Sequence, residues 1–154
     1  MARKKLLKVD AVSPFSQTAE YALRAMACLA ARGEDALRAS DLTEATHVPV
    51  HYLSKVLRRL VAAGLLISQK GHGGGFVLAR RADQITFADV LDAVGEAPAG
   101  GRCAFGWGSC DARHPCPLHP AWSVLSESLV SWADKTTLAE VACSPEGRKR
   151  RAPT

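Results

Sequence analysis

Apolar side chains recur at helical spacing in the first part of the chain, beginning near residue 17. The spacing predicts a helix over residues 17–31, which Gly33 ends. The apolar stripe of this helix consists of Ala22, Leu23, Met26, Leu29 and Ala30. Residues 1–16 show no such period, and we expect them to form a flexible extension.

Two further helical stretches follow, separated by a turn of three residues. Ser40 is predicted to cap a short helix over residues 41–45, and Pro49 to begin a longer helix that ends at residue 63. Two helices joined by so short a turn are the signature of a helix-turn-helix. The core face of the longer helix is predicted to be Leu53, Val56, Leu57 and Leu60. Its outward face is predicted to be His51, Ser54, Lys55 and Arg58.

Two short strands are predicted next, over residues 65–68 and 76–79. Four glycines fall within residues 71–75, beside Lys70 and His72, which predicts a tight basic hairpin loop. A helix-turn-helix followed directly by a hairpin is a winged helix, in which the hairpin is the wing. The loop lacks the order GxxxxGK[ST] and no helix follows it, which argues against a nucleotide-phosphate loop.

The remaining pattern predicts a short helix that ends near Val94, a loop over residues 97–117 and a long helix from Leu118. The long helix carries a heptad-like apolar seam formed by Leu118, Trp122, Leu125, Leu129 and Trp132. Such a seam predicts burial against a second copy of the chain, with packing on its own domain as the alternative. Thr137 and Glu140 form a capping box for a last short helix.

These elements predict a mainly α fold with one small β-hairpin. The winged-helix domain would span residues 17–96, the loop 97–117, and the dimerisation helix with the short last helix 118–143. Residues 144–154 would form a flexible basic tail, and Cys143 is expected to be mobile with it.

Charge is distributed unevenly along the chain, although the net charge is only +5. Residues 1–81 hold 13 Lys and Arg against 6 Asp and Glu, whereas residues 82–147 hold 3 against 9. A basic first half indicates a polyanion-binding module, although an unevenly charged surface would give the same count. The sequence contains no apolar stretch long enough for a membrane span and no evident secretory signal, so we expect a cytoplasmic protein.

Three of the five cysteines, Cys103, Cys110 and Cys116, lie within fourteen residues of the predicted loop. An odd number of cysteines argues against a disulfide framework, and soft thiolates select zinc, copper(I) or iron–sulfur clusters. Six residues lie between the first two cysteines and five between the last two, without the CxxC pair of structural zinc sites. The wider spacing favours a cluster. Cys28 is interpreted as a small buried apolar residue.

Two histidines accompany these cysteines. His119 follows Cys116 by three residues and is the better candidate for a fourth ligand. His114 lies close to Pro115 and Pro117, and we assign it a loop-shaping role.

Several segments together resemble the BadM/IscR/NsrR class of winged-helix regulators, the Rrf-type family. The similarity extends from about residue 15 to residue 141. The segments that carry it are 18–26, 48–57, 63–65, 70–76 and 136–140. The resemblance implies a homodimer that binds a palindromic operator in double-stranded DNA and controls transcription, most often as a repressor.

The resemblance also implies a [2Fe-2S] or [4Fe-4S] cluster on Cys103, Cys110 and Cys116. The fourth ligand differs among members of the family. A histidine three residues after the third cysteine matches His119, whereas a carboxylate near the start of the first helix, reaching across from the other chain, matches the partner subunit's Glu20. Both alternatives stay open, and so does the cluster type.

The DNA contacts expected for a winged helix fall on two elements and on the start of the helix-turn-helix. The second helix would lie in the major groove, and the wing would follow the backbone or a minor groove. Candidates near base edges are His51, Tyr52, Ser54 and Lys55. Candidates for phosphate are Arg58 and Arg59. In the wing, Lys70 and His72 would contact the DNA, and Ser40, at the start of the helix-turn-helix, is a further candidate for DNA contact.

The sequence leaves two alternatives to a regulator that senses through a cluster. The same DNA-binding regulator could use zinc or direct thiol oxidation in place of a cluster. A redox enzyme is less favoured, because the sequence lacks a CxxC motif, a Ser/His/Asp order and a nucleotide loop.

Overall fold

The computed structural model describes residues 13–97 and 102–142. The predicted tail, Cys143 and most of the predicted N-terminal extension lie outside these residues. Helix α1 spans Gln17–Arg32, and Ser16 caps it by accepting a hydrogen bond from the Ala19 N–H at 3.2 Å. Ala22, Ala25 and Met26 on its inner face are fully buried. The apolar stripe therefore forms the centre of the core, as its spacing predicted.

Helices α2 (Ala39–Thr46) and α3 (Val50–Ala62) form the helix-turn-helix. His47 takes a left-handed backbone conformation that ends α2. The Thr46 hydroxyl donates to the Leu42 carbonyl and accepts from the Val48 N–H, which fixes the turn. Val48, beyond the turn, is fully buried.

The predicted cap of α2 was wrong. Arg38 occupies the cap position, and its N–H donates to the Asp41 carboxylate at 3.0 Å. Ser40 lies inside the first turn and is exposed. The reason is tertiary, because Leu37 pairs with Phe76 of the hairpin and the helix begins directly after that pairing.

The wing consists of antiparallel strands β1 (Leu66–Gln69) and β2 (Gly75–Leu78). Leu37 adds a short third pairing, because its N–H and carbonyl both bond Phe76, at 3.0 and 2.8 Å. A side chain at position 75 would meet the Leu37 carbonyl oxygen at 2.5 Å, so glycine is required there. The wing is thereby fixed to the segment that begins the helix-turn-helix.

The second half of the chain packs back on the winged-helix domain. A 3-10 turn, Ala82–Gln84, leads to α4 (Phe87–Ala93), and the long helix α5 (His119–Lys135) is followed by α6 (Leu138–Val141). The Leu138 N–H bonds the Ile85 carbonyl, and the Leu138 side chain is fully buried. Among the helices described, none combines the length and the hydropathy that crossing a bilayer requires.

Candidate DNA interface and cysteine loop

The outer face of α3 presents polar and aromatic side chains. His51, Lys55 and Arg58 are exposed, and Ser54 is half-buried with its hydroxyl donating to the Val50 carbonyl at 2.8 Å. That bond is internal to the helix and leaves the hydroxyl oxygen available as an acceptor. The sequence-predicted face is therefore the exposed face.

Aromatic contacts hold the start of this face in place. The Tyr52 ring lies 4.2 Å from the His51 ring and 6.1 Å from the Tyr21 ring, measured between centroids. Tyr52 nevertheless remains exposed. It is thus a partly anchored side chain, which loses less conformational freedom on contact with a ligand than a free one.

Arg59, expected to contact phosphate, makes an internal bond. Its guanidinium donates to the Val94 carbonyl at the end of α4, at 2.8 Å. A cation at a helix C-terminus also interacts favourably with the helix dipole. Arg59 therefore connects the predicted recognition helix to α4.

A groove of about 430 Å³ separates α3 from the wing. Its polar side chains come from Ser54, Arg58 and Ser68, and Phe76 lies among its apolar residues. Ser68 is not among the residues that the sequence predicted to contact DNA. The available signal was its outward position in a strand, but no local pattern showed that β1 faces α3 there.

The wing loop, residues 70–74, is exposed except for half-buried Gly74. Gly71 and Gly73 have φ values of 94° and 78°, a region that L side chains rarely adopt. Lys70 and His72 are both exposed beside them. The glycines therefore allow a sharp turn, and this turn places the charged Lys70 side chain away from the surface of the domain.

The cysteine loop, residues 102–118, begins with a small hairpin. Arg102 pairs with Ser109, and the Cys103 N–H donates to the Gly108 carbonyl at 2.8 Å. The Trp122 indole N–H donates to the Arg102 carbonyl at 2.6 Å. The loop is therefore attached directly to α5.

One cavity of about 150 Å³, called here the cysteine cavity, collects the predicted ligands from this loop. The residues with possible ligand atoms that line it are Cys103, Cys110, Asp111, His114, Cys116 and His119. Desolvation raises the pKa of the Cys110 thiol, and the neighbouring Cys103 and Cys116 thiols raise it further. The three thiols are thus close enough to interact.

The thiols that line the cysteine cavity have the chemistry of cluster ligands. As the side chains stand in the described part of the chain, no three potential ligands surround one ion position. Thiols spread around a shared cavity suit a cluster, whose ligated irons lie apart, and thiolates are its usual ligands. The chemistry of the donor set therefore fits an iron–sulfur cluster.

The three candidates for a further ligand differ in their surroundings. Glu20 forms an ion pair with Arg24 at 3.5 Å and does not line the cysteine cavity of its own chain. His119 lines the cavity from the first turn of α5. His114 also lines it, and its Nδ1 lies 2.9 Å from an Asp111 carboxylate oxygen, an interaction that lowers the pKa of Asp111.

Most of the chain is similar to one known protein family. The sequence pattern of the Rrf2 family, described as an iron-dependent transcriptional regulator, matches residues 15–144. This chain belongs to the Rrf2 family. It is a DNA-binding transcription regulator of that family and not an enzyme.

Curated relatives agree with this Rrf2 assignment. An HTH-type transcriptional regulator of Aquifex aeolicus is 31% identical over 129 residues, which cover 82% of this chain and 90% of that protein. The HTH-type transcriptional regulator IscR of Cronobacter sakazakii is 33% identical over 127 residues, covering 82% and 78%.

Solved structures show the same fold. CymR, the global cysteine regulator of B. subtilis, gives a TM-score of 0.72 at 22% identity, over 85% of this chain and 97% of that one. IscR of T. potens gives a TM-score of 0.66 at 21% identity, over 94% and 95%. The winged-helix architecture predicted from the sequence is confirmed.

Proposed function

We propose that this Rrf2-family regulator binds a palindromic operator as a homodimer and responds to its signal through an iron–sulfur cluster on Cys103, Cys110 and Cys116. The observation that carries the proposal is the cysteine cavity, which the three thiols line together beside the first turn of α5. The iron-dependent description of the family supports the same chemistry.

DNA binding is assigned to α3 and the wing. His51, Tyr52, Ser54 and Lys55 would approach base edges in the major groove, because they form the exposed face of the second helix. The groove between α3 and β1 would hold the DNA backbone, with Arg58 and Ser68 as phosphate partners. Lys70 and His72 would contact the backbone from the wing.

Dimerisation is assigned to the uncovered face of α5. Val124 and Leu125 are 65% and 60% exposed, and of the whole helix only Ala133 is buried. An exposed apolar face of this kind is stabilised by burial against a second copy, and a two-fold axis would then match a palindrome. Part of the predicted seam is already used within the chain. The Trp132 ring packs on Phe87, with centroids 5.1 Å apart.

The position of the cysteine loop would couple binding of the cluster to binding of DNA. The Arg102 carbonyl accepts from Trp122 of α5, and Arg59 links α3 to the end of α4, from which the chain continues toward the loop. When bound, a cluster supplies redox chemistry at the cavity. Cysteine ligation would order the loop, and the order would change how α5 is held relative to α3. A ligand shifts such an equilibrium only by its differential affinity for the two states.

The test compares two variants purified anaerobically. Replacing both Cys110 and Cys116 by alanine should abolish the iron content and the visible absorption, whereas Cys28→Ala, on α1, should retain both. Binding to an operator selected from random double-stranded DNA should then respond to oxidant or nitric oxide in Cys28→Ala only. A double variant that keeps its iron and its response would contradict the cluster. A colourless wild-type protein that holds zinc, or whose thiols oxidise directly, would favour those alternatives.

A further inference from the structure

The first turn of α3 presents an apolar side chain at the start of its outer face. Val50 is the first residue of the helix and is 57% exposed. Pro49, directly before it, is also exposed. The residues that follow, His51 and Tyr52, are exposed as well. Pro49 and Val50 thus form a small apolar surface at the end of the helix-turn-helix turn, beside the residues expected to approach base edges.

The core of the domain does not account for a valine at this position. Val48, two residues earlier, and Leu53, three residues later, are fully buried, whereas Val50 lies between them in sequence and points outward. Alanine would form the helix better, because valine loses side-chain freedom there. A single exposed valine is common on protein surfaces, so the place of Val50 on α3 matters more than its exposure.

That place is the N-terminal end of the ridge that faces the wing. Residues four apart in a helix are neighbours on one face, so Val50 adjoins Ser54, and Ser54 adjoins Arg58. Ser54 and Arg58 line the groove between α3 and the wing, and the Ser54 hydroxyl donates to the Val50 carbonyl at 2.8 Å. In a helix-turn-helix, the N-terminal residues of the second helix contact base edges in the major groove. Val50 therefore belongs to the end of the helix that reaches the bases.

The chemistry of the major groove limits what a valine can contact there. The base edges present hydrogen-bond donors and acceptors, and one apolar group, the C5-methyl of thymine. A valine side chain cannot bond the polar groups, and covering one without a partner costs free energy. The first turn of α3 also holds no Asp or Glu that could accept from the amino group of cytosine. Thymine is therefore the base that this end of the helix fits.

We propose that Val50 is a specificity-determining residue, whose side chain contacts the C5-methyl group of a thymine in each half of the operator. This inference rests on the proposed binding of α3 in the major groove, and it names the base that the start of the helix recognises. It does not depend on a cluster in the cysteine cavity.

The experiment removes the methyl groups from each side of the contact. The full-length protein, purified anaerobically, is titrated with the operator selected from random DNA and with copies that carry deoxyuridine for one thymine of each half-site in turn. Deoxyuridine keeps the hydrogen-bonding groups of thymine and lacks only the methyl. Val50→Ala is compared with the wild type, and Ala63→Ser, at an exposed position at the other end of α3, is the control.

We expect one thymine position at which deoxyuridine weakens binding by the wild type and by Ala63→Ser. The expected loss is about fourfold for each half-site, the value for one buried methyl group. Val50→Ala should bind the thymine operator more weakly by a similar factor, and it should no longer distinguish thymine from deoxyuridine at that position. Its free energy of unfolding should match that of the wild type, because the truncated side chain is exposed.

Two results would overturn the role of Val50 while leaving operator binding in place. One is a wild-type protein that binds the thymine and deoxyuridine operators equally at every position. The other is a Val50→Ala protein that keeps the full difference between them. A wild-type protein that selects no operator from random DNA would instead overturn the proposed function, and the role of Val50 with it.

Discussion

Two neighbouring arginines on α3 have different surroundings in the fold. Arg58 lines the groove toward the wing and makes no hydrogen bond or ion pair within the described part of the chain. Arg59, one residue later, donates to the Val94 carbonyl across 35 positions of sequence. Adjacent helical residues point about 100° apart, so one side chain faces the DNA side and the other faces α4.

These arginines permit a matched pair of substitutions. Arg59→Met should lower the free energy of unfolding by about 1 kcal/mol or somewhat more, because a charge-assisted bond is lost and the Val94 carbonyl loses its partner. Arg58→Met should change stability by less than about 0.5 kcal/mol but weaken operator binding. Chemical denaturation and operator titrations measure both. Equal stability of the two variants would contradict the role given to Arg59.

A substitution of Lys70 tests whether the wing contacts the DNA backbone. Lys70→Ala should weaken operator binding about evenly across sequences and reduce the slope of log affinity against log salt by about one, the value for one lost phosphate contact. Ser13→Ala, a change at an exposed position before α1, is the control. A Lys70 variant with the wild-type slope would remove the wing from the interface.

At the scale of elements, α5 has two faces with different partners. Ala133 is buried on the winged-helix domain, and the Trp122 indole bonds the cysteine loop. Val124 and Leu125, in the middle of the helix, are exposed. A single helix thus joins the domain, the loop and a free apolar surface.

That surface can be tested with a charge. Leu125→Lys should give monomers that bind the operator poorly, because a charge would be buried without a partner in the proposed dimer interface. Asp134→Lys, at an exposed position on the other side of α5, should leave the oligomeric state unchanged. Sedimentation measures both. A Leu125→Lys protein that stays dimeric would exclude this face.

At the scale of the whole molecule, the cysteine loop precedes α5 in the chain and is bonded to it through the Trp122 indole. Every residue of the loop is exposed except half-buried Cys103 and Cys110. Few apolar contacts therefore hold the loop in the metal-free chain. A bound cluster would therefore supply most of the order of the cysteine loop, because a ligand stabilises the conformation to which it binds.

Limited proteolysis should show this contribution. Removing iron with a chelator should increase trypsin cleavage after Arg113, in the cysteine loop, several-fold. Cleavage after Arg81, which is exposed near the wing and paired with Asp83, should not change. If chelation left cleavage after Arg113 unaltered in an iron-loaded sample, the loop would not depend on the cluster for its order.

The amino-acid sequence by itself determined the architecture. The apolar stripe of α1, the short turn before Pro49 and the glycines near residue 73 are local signals, because helix period, caps and turns depend on near neighbours in the chain. The three cysteines that the spacing singled out line the cysteine cavity, and their role as cluster ligands stays a prediction. These elements agree with the structure to within one or two residues.

Tertiary structure decided the partners of individual side chains. The Leu37–Phe76 pairing moved the start of α2 away from Ser40, and the packing of α4 against α3 gave Arg59 its internal acceptor. Ser68 entered the groove because β1 lies beside α3. Such contacts join residues that are far apart in sequence, and their geometry follows from how the elements pack, which no local pattern records.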